Sequence, residues 1–135
     1  MSVQFAELRG DIIYGVPVPP TAAGTAVEVP ILRLPFGAQI VEVLWVPGAA
    51  ITANVTNFFT LTARNRQAGA GVVAMASRAY SAGNSVANTP EALTLSGTAT
   101  DLQPAAGDVL TAHITHTAAG LAVPAGLVQI KLRIR

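Results

Sequence analysis

The strongest constraint on this chain lies between Gly107 and Arg135. Leu110, Ala112 and Ile114 alternate there with Val109, Thr111, His113 and Thr115. After a loop, Val128, Ile130, Leu132 and Ile134 alternate with Gln129, Lys131, Arg133 and Arg135. A period of two puts every second side chain on one sheet face, whereas a helix would scatter the same residues around its circumference. These segments predict two half-buried strands. The apolar row on the last one requires a second sheet to cover it.

The rest of the chain has the pieces for that sheet. Asp11–Val18 reads as a strand, with a shorter one at Gln4–Leu8, and the prolines from Pro17 to Pro20 end any ladder there because proline lacks the N–H donor. Residues 1–25 therefore read as an N-terminal arm or edge strands, and residues 26–135 as one β-sandwich domain. Ala26–Leu34 alternates but contains Pro30, which makes it an edge or broken strand. Ala38–Val46 is the most apolar segment. Strict alternation puts Ile40, Glu42, Leu44 and Val46 on one face, and Val41, Val43 and Trp45 on the other. Phe58–Arg66 points Phe59, Leu61 and Ala63 inward. The Gln67–Gly71 turn makes it a hairpin with Val72–Tyr80, and Ala92–Ser96 is one more short strand. About eight short strands bounded by Gly and Pro predict an all-β, two-sheet antiparallel sandwich, a jelly roll first and an immunoglobulin-like sandwich second.

Composition narrows the function classes. Only 11% of the 135 residues are charged while 51% are apolar, and mean hydropathy is +0.50. Either part of the surface is hidden against other subunits, because large apolar patches are rare on monomers, or the coding sequence is merely Ala-rich. A net charge of +1 argues against bulk electrostatic binding of nucleic acid. There is no cysteine to form a disulfide or a thiolate metal site. No apolar run is long enough for a helical membrane span. The N-terminus lacks a basic region followed by an apolar one, so synthesis in a cytoplasm is expected.

Chemistry-bearing constellations are sparse. His113 and His116 fall on opposite faces of a strand, which is poor geometry for sharing a metal. No triad motif surrounds either, and the carboxylates are scattered rather than paired as a glycosidase needs. An enzyme is not expected, nor a cofactor or metal. Glu42 is a charge inside the most apolar strand; structural pairing with Arg33 or Arg64 is the expected reason, with a place at a subunit contact as the alternative. Lys131, Arg133 and Arg135 form a basic stripe, read as a solvated face that blunts edge aggregation, with docking to an acidic surface as the alternative. Trp45 reads as core.

Two stretches carry a resemblance. GDVLTAHITHTAAGLAVPAGLVQIKLRI, residues 107–134, resembles the end of small tailed-bacteriophage capsid proteins: a GDVL strand, a Gly-containing loop with a proline corner, and a terminal amphipathic strand. VEVLWVPGAAITANVTNFFTLTARNR, residues 41–66, resembles an earlier block of the same proteins. Ala125 stands where a second glycine would follow Pro124. The resemblance implies a phage head decoration (cementing) protein with a jelly-roll-like fold. It implies a homotrimer on the outer capsid surface, at capsomer junctions, that binds the major capsid protein and stabilises the virion shell. Neither nucleic acid nor membrane is an expected partner. A head-fibre or tail structural module, or a carbohydrate-binding sandwich, is the alternative. Candidate contacts with capsid or sister subunits are Phe5, Leu8, Arg9, Ile12, Tyr14, Ile51, Asn54, Leu121 and Pro124, in residues 1–25 and in the loops 47–57 and 115–126. A further loop, 81–90, is expected to join them.

Overall fold

The computed structural model describes residues 10–135. Nine strands run in chain order: β1 (Asp11–Val18), β2 (Val27–Arg33), β3 (Ala38–Pro47), β4 (Phe58–Asn65), β5 (Val73–Ala79), β6 (Glu91–Ala92), β7 (Thr94–Leu95), β8 (Val109–Thr117) and β9 (Gly126–Ile134). A 3-10 turn, Ala99–Leu102, precedes β8. One sheet has the order β1-β9-β3-β6 and the other β2-β8-β4-β5-β7, with every neighbouring pair antiparallel. The chain crosses repeatedly between two packed sheets, which is the jelly-roll form of the antiparallel sandwich. The two terminal strands of the sequence, β8 and β9, sit in opposite sheets. Their apolar rows face each other: Leu110, Ala112 and Ile114 from one side, Val128, Ile130 and Leu132 from the other, all at most 1% exposed.

Where alternation is strict, the burial follows it. β4 buries Phe59, Leu61 and Ala63 and turns Thr60, Thr62 and Arg64 outward. β3 departs from it. A β-bulge between Ile40 and Glu42 shifts the register against β9. An inserted residue flips every later side chain to the other face. Ile40 therefore joins Val43 and Trp45 in the core, while Leu44 and Val46 face outward. The expected grouping of Ile40 with Leu44 and Val46 is thus corrected by one unpaired residue, Val41. The expected strand Ala92–Ser96 is also two pieces. β6 pairs with β3 in the first sheet, β7 with β5 in the second. Leu93 between them is 4% exposed and donates its N–H to the Val43 carbonyl at 2.9 Å. Here the chain changes sheets through the core. Pro30 lies beside another bulge, on the edge strand β2.

Two glycines are fixed by their surroundings. A Cβ on Gly126 would overlap the Trp45 ring and come within 2.6 Å of the Val46 carbonyl oxygen. The close approach demanded of a glycine thus falls at Gly126, and Ala125 takes its place without a positive φ. Gly120 has φ +71, and its Cβ would collide with the His116 ring. Gly120→Ala should cost about 1–2 kcal/mol from the left-handed backbone and the displaced ring, measured as a lower urea midpoint. An unchanged midpoint would show that the loop rearranges freely.

Candidate interaction surface

Strand order sorts the loops to the two ends of the sandwich. At one end lie the connections β1–β2 (19–26), β3–β4 (48–57), β5–β6 (80–90) and β8–β9 (118–125). Backbone and asparagine hydrogen bonds tie them into one body. Thr21 bridges Val123, and Ile51 bridges Ser85. The Asn84 Oδ1 accepts from the Ala53 N–H at 2.9 Å, and the Asn57 Oδ1 accepts from the Ala119 N–H at 3.0 Å. Asn54 Oδ1 accepts from the N–H groups of Thr56 and Asn57, an Asx turn that fixes its own loop. None of the chain's eight Lys and Arg or seven Asp and Glu residues falls in these four connections.

Ionisable groups sit at the base of this end, where Arg78 Nη2 donates to the Gly83 carbonyl at 3.3 Å. The Tyr80 hydroxyl donates to Glu91 Oε2 at 2.9 Å and accepts from Ser85 Oγ at 2.8 Å. Arg78 Nε lies 2.9 Å from the same carboxylate without a directed hydrogen bond, and its guanidinium sits 4.6 Å from the Tyr80 ring centre. That contact is Coulombic and cation–π in character. Burial first, then the Glu91 carboxylate, push the Tyr80 hydroxyl above its usual pKa, against the Ser85 and Arg78 contacts. His116 Nε2 lies 2.9 Å from the Thr25 carbonyl. A carbonyl only accepts, so Nε2 carries the proton, and Nδ1 is buried against Gly120 without a partner.

The two outer sheet faces differ in kind. On the five-stranded sheet the outer face is polar: it carries Thr60, Thr62, Thr115 and His113, and opposite His113 lies Glu28, which accepts from the Thr111 hydroxyl at 2.6 Å and lies 3.6 Å from both Arg64 and Arg66. Arg64 thus pairs with Glu28. Burial raises the Glu28 pKa, but the Thr111 hydrogen bond and the charges of Arg64, Arg66 and His113 outweigh it and hold the carboxyl below 4.5. Burial, with Arg64 and Arg66, lowers His113 below 6.5 against the pull of Glu28. Both groups bind fewer protons folded than unfolded, so both act in the same direction. Stability is expected to fall as pH drops below 6.5 through His113, and again below 4.5 as Glu28 protonates. Urea midpoints across that range check this, and Glu28→Gln should flatten the lower step; an identical acid loss in the variant would contradict it.

On the four-stranded sheet the outer face is mixed: Pro17, Leu44, Val46 and Leu127 gather at the loop end, while Asp11, Gln39, Glu42, Gln129, Lys131 and Arg133 occupy the rest. The register aligns Pro17 with Leu127 and Val46, and places Ile13 beside Lys131. Ile13 is 54% exposed and Leu127 36%. The charges here are directly opposed pairs: Glu42 with Lys131 at 3.6 Å, and Asp11 with Arg133 at 2.8 Å. Glu42 is therefore paired with Lys131, not with Arg33 or Arg64, because the bulge turns it outward toward β9. The basic stripe is two-thirds neutralised in the same way.

The expected contact residues disperse over these surfaces. Tyr14 is exposed on β1, and Ile12 packs partly against the core. Ile51 is a core residue, 5% exposed, that pins its loop. Asn54 is exposed and fixes a turn, while Leu121 and Pro124 are half-buried in the β8–β9 loop. Phe5, Leu8 and Arg9 lie outside the described residues, as does the Gln4–Leu8 strand. Trp45 is fully buried and offers no ring to a sugar. Two shallow clefts of about 480 and 360 Å³ share Val73 and Asp101 at the opposite, charged end. Asp108 there accepts from Asn65 and the Ala105 N–H, and Asp101 from Ser96, so both carboxylates are spent on bracing loops. Among the described residues no group of three or more His, Asp or Glu is placed to hold a metal ion, and no helix is long and apolar enough to cross a membrane.

No family model matches the chain, and no curated protein matches it. A solved structure described as infectious bursal disease virus Gx strain contains a chain that is similar over 92% of this one, at 10% identity and a TM-score of 0.39. This chain spans 32% of that chain.

Proposed function

We propose that the protein is a non-catalytic decoration protein of a tailed-phage head, which binds the outer surface of the assembled shell at capsomer junctions as a trimer. The observation that carries this reading is the apolar end of the four-stranded sheet's outer face, where Pro17, Leu44, Val46 and Leu127 adjoin, set against a polar face on the other sheet. A solvated sandwich has no use for the asymmetry. A protein seated on a lattice does, since apolar area removed from water contributes about 25 cal/mol per Å². The two blocks that resemble phage capsid proteins support it. Far apart in sequence, they supply β3 beside β9 and β4 beside β8, the adjacent strands at the heart of both sheets.

Magnitude explains the need for several copies. Three long strands spaced about 4.8 Å apart, each about 27 Å long, give a face of about 400 Å². That is about half of what each partner contributes to a stable interface. One copy would bind weakly, and a trimer engaging several sites together binds with avidity. Binding only the expanded shell then stabilises that state by mass action. Leu127→Asp puts an unpaired charge into the face and should weaken binding at least about tenfold. Cosedimentation with expanded and unexpanded shells tests this. Retention of the variant equal to the wild type would remove the sheet face from the contact.

A further inference from the structure

We infer that the charge-free loop end is the surface through which copies of this chain contact one another. This goes beyond the shell-binding reading and rests on its claim of an oligomer. Loops usually concentrate a protein's polar and charged side chains, since they run over its surface. Here four of them converge and hold no Lys, Arg, Asp or Glu, while Arg33, Arg135, Asp101 and Asp108 belong to the connections and strand ends at the opposite end. Loops that supply no charge, with the one cation reaching them, Arg78, already paired to Glu91, meet a second copy with little opposition of like charges and little stripping of water from an ion. The charged end meets neither condition.

The loops are also held before contact. Bonds from Asn84 to Ala53 and from Asn57 to Ala119, with the bridges Ile51–Ser85 and Thr21–Val123, link all four in pairs or through a neighbour. Gly48 donates to the Ala125 carbonyl at 2.7 Å and Asn88 to the Pro47 carbonyl at 2.7 Å, which closes the set. Little ordering entropy remains to be lost on association. The surface they hold up carries two bare valines, Val55 at 82% and Val86 at 68% exposure, on the loops joined through Ala53 and Asn84. The end of a two-sheet sandwich four to five strands wide covers about 500 Å². Two such ends face to face reach about 1,000 Å² in total, the lower bound of a specific interface; around a threefold axis each pair shares about 500 Å², and the three contacts act together.

The test is the mass of the full chain by light scattering, at low and high salt, for the wild type, Val55→Asp/Val86→Asp and Val72→Asp. Val72 is as exposed as Val86, at 68%, but follows the β4–β5 turn at the charged end. The wild type should run as a multiple of 13.8 kDa at both salts, the double variant as a single protomer, and Val72→Asp as the wild type. Urea unfolding of each confirms that the variants fold. A double variant that keeps the wild-type mass overturns the inference and leaves the oligomer and the shell reading standing. A wild type that is one protomer at every concentration overturns it as well; if that protomer still sediments with expanded shells, the shell reading survives alone.

Discussion

Gly126→Val should leave little folded protein. Its side chain would enter space held by the Trp45 ring and the Val46 carbonyl. Trp45 is fully buried, so the ring has nowhere to move. Overpacking of this kind typically costs about 1–3 kcal/mol. Here the clash includes backbone, which cannot rotate away, so about 4 kcal/mol or more is expected, a large share of the about 5–15 kcal/mol a domain has. Urea unfolding measures it. Trp45→Phe in the same background should return part of the loss, because it removes the ring atoms but not the carbonyl. Independent, additive losses in the two variants would show that the contact does not hold these strands together.

Phe59→Ala is the second large effect. The ring is fully buried and sits 4.6 Å from the Tyr80 ring, centre to centre. Truncation leaves a cavity worth about 3–5 kcal/mol, with the aromatic pairing lost in addition. The loss should not be confined to the core. Tyr80 anchors the 80–90 loop through Glu91 and Ser85, so a loosened ring frees one of the four connections at the charge-free end. Hydrogen exchange at Ser85 and Asn54, whose N–H groups bond to Ile51 and Tyr80, should quicken well beyond the global change in stability. Exchange that follows the global stability alone would separate the core from the loop end.

How much of this was legible in the sequence depends on which physical signal carried it. Periodicity is local, so it identified β4, β8 and β9 with their inward residues and the two-sheet sandwich that must cover them. It cannot register a single inserted residue, which is why the bulge at Val41 reversed the grouping of Ile40 with Leu44 and Val46. Nor does it show a change of sheet within one short apolar run, as at Leu93. Glu42 was recognisable as an anomaly, but its partner Lys131 is set by the register of β3 against β9, a long-range quantity. Ile51 illustrates the same limit in a loop: an apolar residue in a small-residue connection read as surface, and the structure turns it into the core. The charge-free intervals were visible as blanks between strands. That they meet at one end follows from strand order alone, since each belongs to a connection on the same side of the sandwich.

The proposed adhesion runs through the outer face of the four-stranded sheet rather than through chemistry in a cleft. Its most direct measurement is cosedimentation of the wild-type protein with expanded and unexpanded phage shells over a salt series. Binding to expanded shells alone is expected, nearly independent of salt because the charges on the four-stranded face are paired within the protein. Equal binding to both shells, or binding that collapses as salt rises, would contradict it.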